Sequence, residues 1–161
     1  MSEARSPKPE ARSPFDTSLL CVIAIALLGL GAGCMAPSQR RAESLTKVAR
    51  EFNDGLRWGR DEAVLACLSA QDARALRARR ADLGDDLVIA DHDVKSIQLA
   101  PDAETATVVA EFSWFNQRRN VLQKSTVEET WTWSGNHWLV TEQRRISGDR
   151  FPLVPEREAH R

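Results

Sequence analysis

The stretch Thr105-Ala-Thr-Val-Val-Ala-Glu-Phe-Ser-Trp114 decides the fold. Ala106, Val108, Ala110, Phe112 and Trp114 fall on one face of an extended chain, and Thr105, Thr107, Glu111 and Ser113 alternate with them. A period of two with one apolar face marks a strand of an antiparallel sheet whose other face meets water. Pro101-Asp102 predicts a turn before this strand, and Asn116 to Asn120 a loop after it. The next strand spans Val121 to Trp133. Val127, Trp131 and Trp133 share a face with Gln123, Ser125 and Glu129, while Lys124, Thr126, Glu128, Thr130 and Thr132 make the other. Gly135-Asn136 is a hairpin signal. Read as a two-residue turn, it pairs Trp133 with Trp138, Trp131 with Val140 and Glu129 with Glu142, in a last strand running to about Arg145. Upstream, Leu87 to Leu99 reads as a strand whose sides disagree. Val88, Ala90, His92 and Val94 share one side, whereas Ile97 and Leu99 take the other, so a bulge near Lys95 and Ser96 is expected.

Before Asp86 the period is that of a helix. Leu45, Val48, Ala49, Phe52 and Leu56 form one apolar stripe from Ser44 to Trp58, which Gly59 is placed to end. Asp61 suits the cap of a second helix carrying Val64, Leu65 and Leu68. Ser69, with Asp72 three places on, starts a third that reaches about Ala81. The fold class is therefore α+β: three N-terminal helices packed on a curved antiparallel sheet of about four strands. The domain spans residues 44–147, and residues 148–161, with Pro152 and Pro155, form an irregular tail.

A chain of 161 residues has room for one such domain plus appendages. Its formal net charge of -1 leaves no global field to recruit nucleic acid, so no nucleic-acid partner is expected. The arginines after Ser69 (Arg74, Arg77, Arg79, Arg80) are flanked by Asp72, Asp82, Asp85 and Asp86 and read as a solvated helix face, with anionic lipid headgroups as the alternative for a tethered domain. Cys21, Cys34 and Cys67 show no metal-ligand spacing, and neither a metal nor another cofactor is expected. Cys67 sits in an apolar helical pattern, where a buried free thiol is the common outcome.

Residues 1–18 are polar and contain Pro7, Pro9 and Pro14. Leu19 to Leu30 is an unbroken apolar run, Leu-Leu-Cys-Val-Ile-Ala-Ile-Ala-Leu-Leu-Gly-Leu, followed by Gly31, Ala32, Gly33 and Cys34. The run has the length of a signal-peptide core and falls short of the ~20 residues of a spanning helix. A hydrophobic core ending in small residues before a cysteine resembles a bacterial lipoprotein signal, which implies that Cys34 is lipidated and begins the mature chain. Gly31 stands where that signal usually has Leu. The alternative is an uncleaved anchor from Leu19 to about Pro37. Both place the domain in the cell envelope, outside the cytoplasm, tethered to a membrane through polar residues 35–43.

The order of elements resembles the nuclear transport factor 2-like (ketosteroid isomerase-like) superfamily. The likeness rests on the turn Trp58-Gly59-Arg60-Asp61 between the first helices and on the closing Glu129-Thr130-Trp131 … Gly135 … Trp138-Leu139-Val140 hairpin. It implies a cone-like domain, often with a pocket between the first helix and the sheet. The isomerases of that superfamily use a tyrosine and two aspartates, and this chain has no tyrosine. Their catalytic set cannot be carried over.

The possible pocket residues are His92, Trp114, Glu129, Trp131 and Glu142. Two carboxylates opposite each other beside apolar surface would raise at least one pKa, with Arg144 on the same face to neutralise them. The alternative is a solvated or ion-paired sheet edge. His92 points inward between Asp91 and Asp93, either as a pocket base or as a hydrogen-bonded structural histidine. The tryptophans form either a wall for an apolar ligand or plain core. Three functions follow: a noncatalytic module binding a small apolar ligand or an envelope protein; an enzyme using His92 or Glu129; or a structural domain forming a homodimer through an exposed apolar sheet face.

Overall fold

The computed structural model describes residues 37–155. The apolar run, Cys21, Cys34 and the end of the tail lie outside the described residues. Among the described residues no helix is long and apolar enough to cross a membrane. The fold is α+β. Helices α1 (Pro37–Trp58), α2 (Asp61–Leu65) and α3 (Ala70–Leu83) lead through a short turn of 3-10 helix, Gly84–Asp86, into a four-stranded sheet. Strands β1 (Leu87–Leu99), β2 (Thr105–Asn116), β3 (Gln123–Ser134) and β4 (His137–Gly148) lie side by side in chain order, each antiparallel to the next.

Helix α1 buries Leu45, Ala49, Phe52 and Leu56 against the inner face of the sheet. It runs back to Pro37, the first described residue, so the expected polar tether of residues 35–43 is helical from there on. Proline loses nothing at a first helical turn, where its missing N–H would have no partner anyway. The added turns are also used. Arg41 Nη1 donates to Ala103 O at 3.2 Å, and its guanidinium lies 5.2 Å from the centre of the Trp133 ring. Gly59 ends the helix at φ +66°, the left-handed conformation that glycine takes without penalty. Helix α2 is short and has no side-chain cap; Asp61 is its first residue and Arg60 precedes it. Leu68 has left the helix and bridges Val140 of β4 in parallel, with Val140 N donating to Cys67 O at 2.8 Å. Ser69 caps α3 by accepting from Asp72 N.

Ala106, Val108, Ala110, Phe112 and Trp114 are all buried, as the alternation on β2 requires. Strand β1 carries a bulge between Val94 and Ser96 and a second between Ile89 and Asp91. The second corrects the reading of the strand's first half: Ile89, and not its neighbours Val88 and Ala90, is the buried residue there. The last segment is a further correction. Its backbone is irregular, but Phe151, Leu153 and Val154 are buried at 1%, 3% and 6% exposure. Phe151 stacks on Phe112 at 4.6 Å between centroids and lies 6.0 Å from Trp114. Phe151, before Pro152, and Leu153 and Val154, between Pro152 and Pro155, join the core, a task that needs burial and not regular hydrogen bonding.

Candidate functional site

Glu129 is the most unusual side chain in the described domain. It sits on the inner face of β3 beneath α1 and is 0% exposed. Trp131, two residues on and on the same face, donates from Nε1 to Glu129 Oε2 at 3.0 Å. Asn53 reaches the same oxygen from α1 over 3.5 Å and also donates to Ala49 O at 2.9 Å. Glu129 Oε1 and Asn53 Oδ1 are buried without a hydrogen-bond partner. Burial pushes the carboxyl of Glu129 up to about 7, against the hydrogen bonds from Trp131 and Asn53 and the nearby amide of Gln143, which hold it down. Nearby, burial and then the charges of Glu129 and Glu51 push the Cys67 thiol up to about 11. A free thiol in that state is inert core, bonded to Ala63 O at 3.5 Å.

The expected carboxylate pair does not form. The hairpin pairs Trp133 with Trp138 and Trp131 with Val140, but β4 then bulges at Thr141. Beyond it Glu142 lies opposite Thr130, and Gln143 lies opposite Glu129. One extra residue moves each later side chain to the other face. Glu142 is therefore on the outer face. Arg144 is there too, 2.6 Å from Glu128, and does not neutralise Glu129.

His92 faces inward on β1 with its side chain 11% exposed. Its Nε2 is 3.7 Å from Asp54 Oδ1 of α1, its ring is stacked 6.2 Å from Phe112, and its Nδ1 is buried without a partner. Trp114 is buried, and its indole donates to Ser125 Oγ at 2.8 Å; Ser125 Oγ in turn donates to Asp149 O at 2.7 Å. Trp131 is 0% exposed and meets Phe52 edge to face at 5.4 Å. His92, Trp114, Glu129 and Trp131 thus share the inner face, each engaged with its own neighbours and closed off by Phe52, Phe112 and Phe151. Asn53 and Gln143 complete the Glu129 surroundings and escaped the sequence reading; Cys67, expected as a buried free thiol, lies there too. Asn53 left a trace: it follows Ala49 by one helical turn, a polar residue inside the apolar stripe.

The outer sheet face is a ladder of charge. Lys95 lies 2.8 Å from Asp93 and 3.5 Å from Glu111, which Lys124 meets at 3.8 Å. Of the exposed large apolar residues, Trp58 is on α1, Val121 and Leu122 are adjacent in the β2–β3 loop, and Ile146 is on β4.

Clefts occur at the edges of the core. One of about 300 Å³ lies between the first half of α1, α2 and the β3–β4 turn, walled by Val48, Ala63, Ala66, Trp133 and Trp138, with Cys67 in its lining. Trp133 and Trp138 stand edge to face at 5.3 Å. A second, of about 340 Å³, lies among the end of α1, α3 and the start of β1 and includes Arg57 and Arg80. Both guanidiniums are committed: Arg57 to Asp91 at 2.9 Å and Arg80 to Leu56 O at 3.1 Å. A third, of about 430 Å³, lies between α3 and the last segment. His92, Trp114, Glu129, Trp131 and Glu142 line none of these three.

No family model matches the chain, and no curated protein matches it. Among solved structures, the intermembrane space region of the chloroplast protein ARC6 is similar, with 17% identity, covering 66% of this chain and 96% of that one, and a TM-score of 0.46. A likeness at that level carries no argument about this chain.

Proposed function

We propose that this chain is a membrane-tethered envelope protein whose α+β domain is a noncatalytic binding module for a small apolar ligand. The observation that carries this reading is where space is and is not found. The region under α1 where a reaction chamber would sit is filled by Phe52, Phe112, Trp131 and Phe151, each at most 1% exposed. A substrate has no route to Glu129, which weighs against the enzyme alternative. The cleft beside the β3–β4 turn is open and largely apolar, walled by Trp133 and the nearly buried Trp138, with Ser44, Glu51, Asn136 and His137 as its polar lining. The homodimer alternative calls for an exposed apolar sheet face, whereas the outer face carries the Lys95–Glu111–Lys124 ladder.

The cone-like form of the nuclear transport factor 2-like superfamily is part of the proposal. Bulges in β1 and β4 add bend and twist to the sheet, which favours that form. The tether belongs to the proposal as well, with Cys34 lipidated or the apolar run kept as an anchor.

Two measurements test it. Naphthalene titrated into the detergent-solubilised chain should change the tryptophan emission saturably, and Ala66→Trp, which fills the cleft, should abolish the change. Unaltered binding in Ala66→Trp removes the cleft from the proposal. Labelled palmitate fed to expressing bacteria should enter the wild-type chain and not Cys34→Ser. Label retained by Cys34→Ser excludes lipidation at that residue, and an unlabelled but membrane-bound wild type points to the anchor.

A further inference from the structure

Glu129 lies at the seam between α1 and the sheet, and its surroundings suit one protonation state. Its Oε2 takes the hydrogen bonds of Trp131 and Asn53. Its Oε1 and the Oδ1 of Asn53 are acceptors without donors, both in side chains that are 0% exposed. Two orphaned acceptors on side chains already bonded to each other lack a hydrogen. A proton on Oε1 turns one acceptor into a donor and puts it on the partner of the side chain that carries the other. An ionised Glu129 keeps both orphans and adds a buried charge with no counter-ion.

The elements around it supply no such counter-ion. From α1 come Asn53 and, further off, Glu51, whose charge acts with that of Glu129 on Cys67. The segment between α2 and α3 brings Cys67, a neutral thiol. From β2 the residue opposite is Val108, and from β4 it is Gln143. His92 of β1 is turned to Asp54. Glu128, Glu142 and Arg144 lie on the outer face.

We infer that Glu129 is a proton latch: its neutral carboxyl seats α1 on the sheet, and its ionisation releases the helix. Asn53 lies in the second half of α1, far along the helix from Pro37 and the side of the proposed tether, so release loosens the end of the helix that leads into α2. The inference holds whether or not that tether or the apolar cleft proves correct. The upward shift of the carboxyl places the change near neutral pH.

The test is hydrogen exchange of the full chain in detergent micelles between pH 5 and pH 8, corrected for the intrinsic pH dependence of exchange. Opening of α1 amides should rise on the order of a hundredfold across that range. The amides of β2 and β3, which open only with the whole domain, should stay better protected than those of α1 at every pH, and Glu129→Gln should flatten the α1 response. His92→Gln, run in parallel, should leave the response in place. An α1 response that is absent in the wild type, or unchanged in Glu129→Gln, overturns the latch. Should Glu129→Gln fail to fold, the wild type still decides the matter. With carboxyl-labelled glutamate, one resonance should titrate near neutral pH, and all glutamates ionised at pH 5 would overturn the inference.

Discussion

The indole N–H of Trp131 donates to Glu129 Oε2 at 3.0 Å, between residues two apart on one face of one strand. Neither can be altered without leaving the other exposed to a cost. In Glu129→Ala the indole and Asn53 lose their acceptor inside a void, which predicts a loss of about 3 kcal/mol of stability at pH 5. Glu129→Gln keeps the shape and an acceptor oxygen, and should lose less than about 1 kcal/mol there. Urea unfolding measures both; equal losses would mean that the hydrogen bond is immaterial.

The pH dependence has a definite sign. The folded carboxyl of Glu129 titrates near 7, above the ordinary value of 4.5, so the folded state holds a proton that the unfolded state releases. The stabilisation is complete below about 4.5 and is lost as pH rises through 7, by roughly 3 kcal/mol in all. Urea midpoints should therefore fall between pH 5 and pH 8 in the wild type and stay level in Glu129→Gln. A wild-type midpoint that climbs across this window would falsify the assignment.

Cys67 should be slow to react. With its thiol pushed up to about 11 from 9.0, the thiolate at pH 8 falls about a hundredfold. Iodoacetamide labelling followed at the Cys67 peptide by mass spectrometry should be slower by at least that factor in the native chain than in urea. Comparable rates would mean that burial and the nearby carboxylates do not hold the thiol protonated.

Phe151 tests whether the last segment belongs to the core. Its ring is 1% exposed and stacked on Phe112, so Phe151→Ala should cost about 3–5 kcal/mol. A change within about 0.5 kcal/mol, typical of a surface position, would mean that the segment is not docked.

Gly148 ends β4 at φ +79°, where an added Cβ would collide with the Lys124 carbonyl oxygen. Gly148→Ala should destabilise by about 1–3 kcal/mol through backbone strain and the clash. Thermal melting reads the loss, and an unchanged midpoint would show that this strand end yields freely.

The class of fold, the strand pattern of β2, the Ser69 cap and the Gly59 stop are legible in the residues because each depends on near neighbours: a side chain's face, a hydroxyl three places from an N–H, a positive φ. The hairpin was legible as far as Trp131–Val140 for the same reason. The candidate site was half legible. Glu129 and its tryptophan share a face by counting in twos, and Asn53 shows as a polar break in the stripe of α1.

What only the tertiary structure decided is which partners meet. The bulge at Thr141 turns Glu142 and Arg144 to the outer face and brings Gln143 to Glu129. No local signal specifies it, because a bulge is chosen by the fit of whole strands and one residue reverses every face beyond it. Burial of Glu129 depends likewise on Asn53, Cys67 and Val108 arriving from three distant segments. The sequence by itself determined which residues are apolar, extended or helical. Desolvation, and with it the protonation of Glu129, arises only when those segments close around it.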